Sequence, residues 1–378
     1  MKHVLIVFLF ILCFSCKDVS SSDTSDFQLN PIALKYAKGF KISELGEHKV
    51  LEITRPWPNA TMSNSYLILS PTSETKTNLI HNFDGTIIKP IEDIVVTSTT
   101  HIPSLELLQV EDKLIGFPET EYISSSKTRQ RVDEGKLRDL GKNESINTEV
   151  LLELNPDVVV GFGVDGVNKT FETIRKTGVP VIYNGDWAED NALAKAEWIK
   201  FFGVLFHKER EADSIFNSIE DNYLQAKSIA DSSTSHPTVL SGALHKEVWY
   251  LPYGNSPEGQ MLKDANVNYL WQNTVGTGSI GLSFETVYNV AKDADIWISP
   301  SYYSSYEQLK AANELYTNFE AFKSKSIYSF VNTTGDTGGV LYYELGICRP
   351  DLVLKDLIKI AHPTLLPEYE LTFFKSLP

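Results

Sequence analysis

Two doubly wound α/β lobes bridged by a single long helix, with a β extension in front, is the fold this sequence predicts. Three observations predict it. Continuous apolar runs such as residues 157–161 (DVVVG) read as strands covered on both faces. Strand and helix signals alternate from Ile91 onward, the mark of an α/β layer architecture. One uninterrupted amphipathic pattern over residues 208–230 separates two such regions.

Taken in order, residues 27–90 carry β-rich runs at 50–53 and 66–69, broken by Pro56, Pro58 and Pro71, and read as a β extension of the first lobe. The first α/β lobe, residues 91–206, has strands at 93–97, 113–116, 157–161 and 180–183. Its helices fall at 101–110, 147–154 and 169–177, the last closed by Gly178, with one further helix over 190–202. The bridging helix is assigned to 207–231. Its apolar stripe is Ala212, Ile215, Phe216, Ile219, Tyr223 and Ala226, and its length is roughly 35 Å at 1.5 Å per residue. The second lobe, 232–378, has strands at 237–241, 247–251, 295–299 and 327–331, a helix at 284–291 and a closing helix at 350–360.

The first residues set the compartment. Lys2 and His3 precede an apolar run from Val4 to Phe14, shorter than the roughly 20 residues a membrane span needs but the size of a secretory signal core. It ends at Ser15-Cys16, followed by a Ser/Asp-rich stretch. This resembles a lipoprotein signal, although Cys13 stands where that motif usually has Leu. The division is then a signal peptide over 1–15 and a lipidated Cys16 with its tether over 16–26. Cys348 would remain as the one thiol of the mature chain, with no disulfide partner, and reads as a packed core residue. The 378 residues, 42% hydrophobic, are enough for two cores. A net charge of −15 argues against nucleic acid as a partner.

One unit occurs twice. Asn147-Thr148-Glu149 opens a helix leading into the strand at Asp157, and Ser283-Phe284-Glu285 opens a helix leading into the strand at Asp295. Asn147 and Ser283 are capping residue types, and an acid in the first turn suits the helix dipole.

Three stretches, NTEVLLELNPDVVVG (147–161), SFETVYNVAKDADIWIS (283–299) and GICRPDLVLKDLIKIAHP (346–363), make the chain resemble the substrate-binding proteins of ABC importers for vitamin B12, ferric siderophores and haem. The likeness runs from about residue 91 to 363. It implies two Rossmann-like lobes, a ligand cleft between them, no catalytic role, and an ABC permease as partner. It also implies that Glu149 and Glu285, one on each lobe, dock on permease arginines. The expected product is a monomeric, lipid-anchored receptor in the cell envelope. It would carry an iron complex or cobalamin as its transported ligand and hold no intrinsic cofactor or metal.

Ligands of such open sheets sit at the carboxyl ends of the strands. That rule nominates Phe117 and Tyr122, Phe162, Trp187, Trp249 and Tyr250, and Tyr302 and Tyr303, from a chain with 6 Trp and 17 Tyr. Rings suit a macrocycle or catecholate because they bury flat area and keep a polar edge. Trp198 and Trp297, mid-helix and mid-strand, read as core. His101 is able to contact ligand or iron, or to serve as a polar helix-start residue. Arg129 and Arg131, read as a loop, and Arg349 are able to pair an anionic ligand or the acidic surface.

Enzymatic signatures are missing: no phosphate loop, no zinc-protease helix, no nucleophile elbow, and 8 His without ligand spacing. Two alternatives stand beside the transport reading: an envelope scavenger without a permease, and a metal-cluster or chelatase-type enzyme on the same scaffold.

Overall fold

The computed structural model describes residues 28–70, 83–88 and 90–378. The signal peptide, the Cys16 anchor and the tether fall outside the described residues.

The extension is a five-stranded sheet in the order β1-β2-β3-β4-β5, formed by Asn30–Ile32, Phe40–Leu45, His48–Ile53, Asn64–Leu69 and Gly85–Ile88. The first four strands are antiparallel and β5 runs parallel to β4. Alternation along β2 turns Phe40 and Ile42 inward, where they join one core with Ile94, Val96 and Trp198 of the first lobe. Phe40 lies 4.5 Å, ring to ring, from Trp198, and the Tyr66 hydroxyl donates to the Val181 carbonyl at 2.9 Å. The extension is therefore built into the lobe and is not an appended module.

The first lobe holds a fully parallel sheet, order β10-β9-β6-β7-β8. Its strands are Ile94–Val96 (β6), Leu114–Phe117 (β7), Arg138–Asp139 (β8), Val158–Gly161 (β9) and Val181–Tyr183 (β10). Every side chain of β6 and β9 is buried, as a sheet covered by helices on both faces requires. The segment read as one helix over 190–202 is two, Ala192–Glu197 and Ile199–Leu205. The break falls at Trp198, whose indole N–H donates to Glu189 at 2.9 Å. The segment read as a loop around Arg129 and Arg131 is a helix, Ser126–Asp133, capped by the Ser125 hydroxyl.

The long helix Glu209–Asp231 has 23 residues. Its first half gives Ala212, Phe216 and Ile219 to the first core, and its second half gives Tyr223, Ala226 and Ala230 to the second. One rigid element thus belongs to both cores, which limits how the lobes move against each other.

In the second lobe Thr238–Ser241 (β11), Ala243–His245 (β12), Val248–Pro252 (β13), Asn268–Tyr269 (β14), Ser279–Leu282 (β15), Ile296–Ile298 (β16), Ile327–Ser329 (β17) and Lys375–Ser376 (β18) make two sheets. One is β14-β11-β16-β17-β18, parallel except for β18; the other is the antiparallel ribbon β12-β13-β15. The helices Phe284–Ala291 and Pro350–Ala361 pack on this lobe. No helix among the described residues is long and apolar enough to cross a membrane.

Candidate ligand cleft between the lobes

Loops at the carboxyl ends of the strands face each other across a cleft with three connected compartments. The first, about 510 Å³, has Thr97–Thr99, Phe117–Glu119, Tyr122 and Phe162 on one side and Tyr302, Gly338–Val340 and Tyr343 on the other. The second, about 480 Å³, lies against the second lobe and is lined by Tyr250, Glu258, Tyr302, Phe330, Tyr342 and Tyr343. The third, about 990 Å³, opens between Pro58, Trp187 and Asp190 and the segment 255–260. Tyr302 and Tyr343 line the first two, and Glu258 lines the second and third. Each volume falls within the roughly 300–1,000 Å³ of small-molecule sites.

The lining backbone is unusual. Glu119, Ser299 and Ser301 hold positive φ angles of 54°, 51° and 52°. Such left-handed turns at non-glycine residues cost energy and cluster at binding sites. Here they shape the loops after β7 and β16, and the second of these presents Tyr302 with 72% of its surface exposed.

The cleft floor is tied by a segment whose crossing between the lobes the sequence reading does not anticipate. Residues 332–349 of the second lobe reach across to the first. Glu344, 2% exposed, accepts the Ser124 amide at 2.6 Å and the Ser125 amide at 2.8 Å. The Thr337 hydroxyl donates to the Glu121 carbonyl at 2.7 Å. Gly335 and Gly339 press on the backbone of Ser124 and Tyr122 so closely that a Cβ would fall 2.6 and 2.2 Å from its atoms. The glycine-rich run TGDTGG (334–339) was the one available hint, since close backbone approach selects glycine. Burial pushes the Glu344 carboxyl up to about 7, against its two amide donors and with Glu106 nearby adding repulsion. On the other side of the cleft, the Lys195 ammonium sits 3.5 Å from Glu258, and the Gln260 side chain donates to the Asp190 carbonyl at 3.1 Å.

The nominated residues divide. Tyr122, Phe162, Tyr250 and Tyr302 line the cleft, and Trp187 lines its third compartment with its indole N–H on the Gly163 carbonyl at 3.2 Å. Phe117, 2% exposed, backs the wall from the core. Tyr303 packs on Tyr316 and borders an adjoining concavity with Leu244 and Gln308, on the far side of Tyr302 from the second compartment. Trp249 is no ligand contact. It alternates with Tyr250 along β13, is fully buried, and stacks on Trp297 at 5.4 Å while its N–H donates to the Ser241 carbonyl. His101 is likewise core, with no exposed surface and its ring 5.8 Å from Phe202. Burial pushes its imidazole down to about 3, so it is neutral. Arg131 points away from the cleft and donates to the Asp112 and Leu114 carbonyls at 2.8 and 3.1 Å. Arg129 is held by the Thr120 carbonyl and Asp133, and Arg349 clamps Asp351 through two bonds of 2.8 Å. Cys348 is a buried thiol 3.7 Å from the Ser104 hydroxyl.

Glu149 and Glu285 both stand exposed in the first turns of Thr148–Leu154 and Phe284–Ala291, behind the caps Asn147 and Ser283. Hydrogen bonds from its own amide and from Ser283 hold the Glu285 carboxyl below its usual range. Among the described residues no group of three metal-ligating side chains converges.

Two α/β lobes on one shared helix, with an open ring-lined cleft between strand ends, define a two-lobed solute-binding protein. The chain belongs to the periplasmic binding protein family, whose model matches residues 94–332. An uncharacterized lipoprotein of Methanocaldococcus jannaschii is 28% identical over 295 residues, 75% of this chain and 68% of the relative. Among solved structures, a possible iron-binding periplasmic solute-binding protein of Staphylococcus epidermidis superposes with a TM-score of 0.56 at 18% identity, over 72% of this chain and 100% of that one. The periplasmic heme-binding protein RhuT of Roseiflexus sp. RS-1 gives 0.53 at 19% identity, over 72% and 99%. The triscatecholate siderophore binding protein FeuA of Bacillus subtilis, complexed with ferri-bacillibactin, gives 0.52 at 16%, over 72% and 94%. The β extension precedes the matched region.

Proposed function

We propose that the chain captures an iron complex (ferric siderophore or haem) or cobalamin in this cleft and delivers it to the permease of an ABC importer. Cys16 is the lipid anchor, and Glu149 and Glu285 are the docking residues. The observation that carries the reading is the cleft itself. It is open, several hundred Å³ in each compartment, and walled by Tyr122, Phe162, Tyr250, Tyr302 and Tyr343. A single-ring metabolite or a bare ion needs neither that width nor so many rings; a macrocycle or chelate uses both. The names of the structural neighbours, which include haem and siderophore binders, support the same ligand class. The exposed first-turn acids suit docking, because rim charges steer encounter and fix orientation.

A thermal-shift screen against cobalamin, haemin and several ferric siderophores tests it. Ligand at 100 times its Kd adds about 2.7 kcal/mol, a rise of several degrees in Tm. If none of the panel raises Tm, the reading is wrong.

A further inference from the structure

The charges around the cleft allow the ligand class to be narrowed, an inference that rests on the function proposed above. We propose that the cleft selects a metal chelate carrying no net negative charge. Among the described residues four carboxylates border its compartments: Glu119 in the first, Glu258 paired with Lys195, Asp190 paired with Arg55 and Lys38, and Glu189, buried and held by the N–H groups of Lys38, Gly39 and Trp198. Among the described residues Lys195 is the one lysine of the lining, and none of the lining residues is an arginine. That lysine is spent on Glu258 at 3.5 Å and its side chain is only 14% exposed. The arginines that would serve an anionic ligand are committed elsewhere: Arg131 to carbonyls of its own lobe, Arg129 to Thr120 and Asp133, Arg349 to Asp351. Arg55 meets the cleft rim only through Asp190, at 3.2 Å.

The remaining polar groups point the same way. Burial and the hydrogen bond with Tyr302 push the Tyr343 phenol above its usual range, so that ring stays neutral. A neutral ring face attracts a cation and does nothing for an anion. A polyanionic chelate would have to leave water for a partly desolvated cleft in which no described lining lysine or arginine is unpaired; His245 is the one titratable imidazole of that described lining. That transfer is costly unless the charge is matched. A neutral chelate meets no such penalty, and for a cationic one the ring faces and the Glu119 carboxylate offset it.

Isothermal titration of the full chain at low salt with three probes tests this. They are a ferric tris-hydroxamate bearing a pendant ammonium (monocationic), the same chelate without the ammonium (neutral), and a ferric tris-catecholate (trianionic). The neutral and cationic probes are expected to bind at least about tenfold more tightly than the trianion, and the gap should narrow as salt screens the site. Glu258→Gln removes a carboxylate and releases Lys195. It should raise the affinity for the trianion several-fold and lower that for the monocation, while Lys195→Gln does the reverse. A structural defect would move both probes in one direction, and that outcome overturns the proposal. Equal or tighter binding of the trianion to the unaltered chain, or tight binding of haemin, whose two propionates leave its ferric form net anionic, overturns the charge selection alone. Failure of all three probes, with cobalamin and haemin also silent, overturns the chelate-binding function and the charge selection with it.

Discussion

Glu344 joins the two lobes, and its removal tests how the cleft is held. It belongs to the helix Leu341–Leu345 of the second lobe and accepts two amides of the first, Ser124 and Ser125. Burial pushes its carboxyl up to about 7, well above the ordinary glutamate range. The native chain therefore keeps the proton through a pH window in which the unfolded chain gives it up. Because the native state binds more protons there, stability is greatest below the unfolded value and falls as pH rises to the folded one. A shift of this size corresponds to about 3 kcal/mol between the two ends of the window. Glu344→Gln is neutral at every pH and so removes this slope. Its amide accepts only one of the two N–H groups, so at the acidic end the variant should also be less stable by about 1–3 kcal/mol. Urea unfolding of both proteins at several pH values between 5 and 8 measures this. Asp186, buried and pushed up to about 6, contributes a slope of the same sign, and His101, held near 3, one of the opposite sign. Both cancel in the difference between wild type and variant. If that difference does not change with pH, the assignment of a raised Glu344 is refuted.

Other expectations follow from single contacts. Gly339→Ala puts a Cβ 2.2 Å from the Tyr122 carbonyl oxygen, so the cross-lobe contact must open locally; chemical unfolding should show a loss of about 1–3 kcal/mol, and unchanged stability would refute the tight contact. Trp249→Ala opens a cavity among Trp297, Tyr316 and Phe319 and should cost about 3–5 kcal/mol in chemical unfolding, whereas Tyr250→Ala, on the other face of β13, should cost far less and weaken ligand binding instead. Arg131→Ala should leave ligand affinity unchanged and lower stability by about 1–3 kcal/mol; a large loss of affinity would return this arginine to the cleft. Charge reversal of Glu149 and Glu285 together should abolish uptake in cells while solution affinity stays intact, and uptake that survives would end the docking assignment.

Much of this protein follows from local pattern. The apolar runs at 94–96 and 158–160 had to be buried strands because nothing in them is polar enough to face water. The stripe from Ala212 to Ala226 required one long helix, and Ser283 with Glu285 marked where Phe284–Ala291 begins. Trp198 and Trp297 were core by position, and at 2% and 0% exposure they are. What local pattern could not give was direction. Trp249 and Tyr250 are adjacent, equally aromatic and equally close to a strand end; which one faces the cleft is set by the pairing of β13 with β12 and β15, and a register one residue different would exchange them. Arg131 has the charge a ligand site wants, but the helix Ser126–Asp133 aims it at backbone carbonyls of its own lobe.

The sequence by itself therefore determined the two α/β lobes, the shared helix and the strand-end loops where aromatic rings collect, because each rests on periodicity and burial within a few residues. Only the tertiary structure decided which rings line the cleft, that no arginine of the described residues does, and that residues 332–349 cross to the first lobe. Those outcomes depend on partners such as Glu344 and Ser124, which are 220 positions apart and carry no mutual signal until the chain has folded.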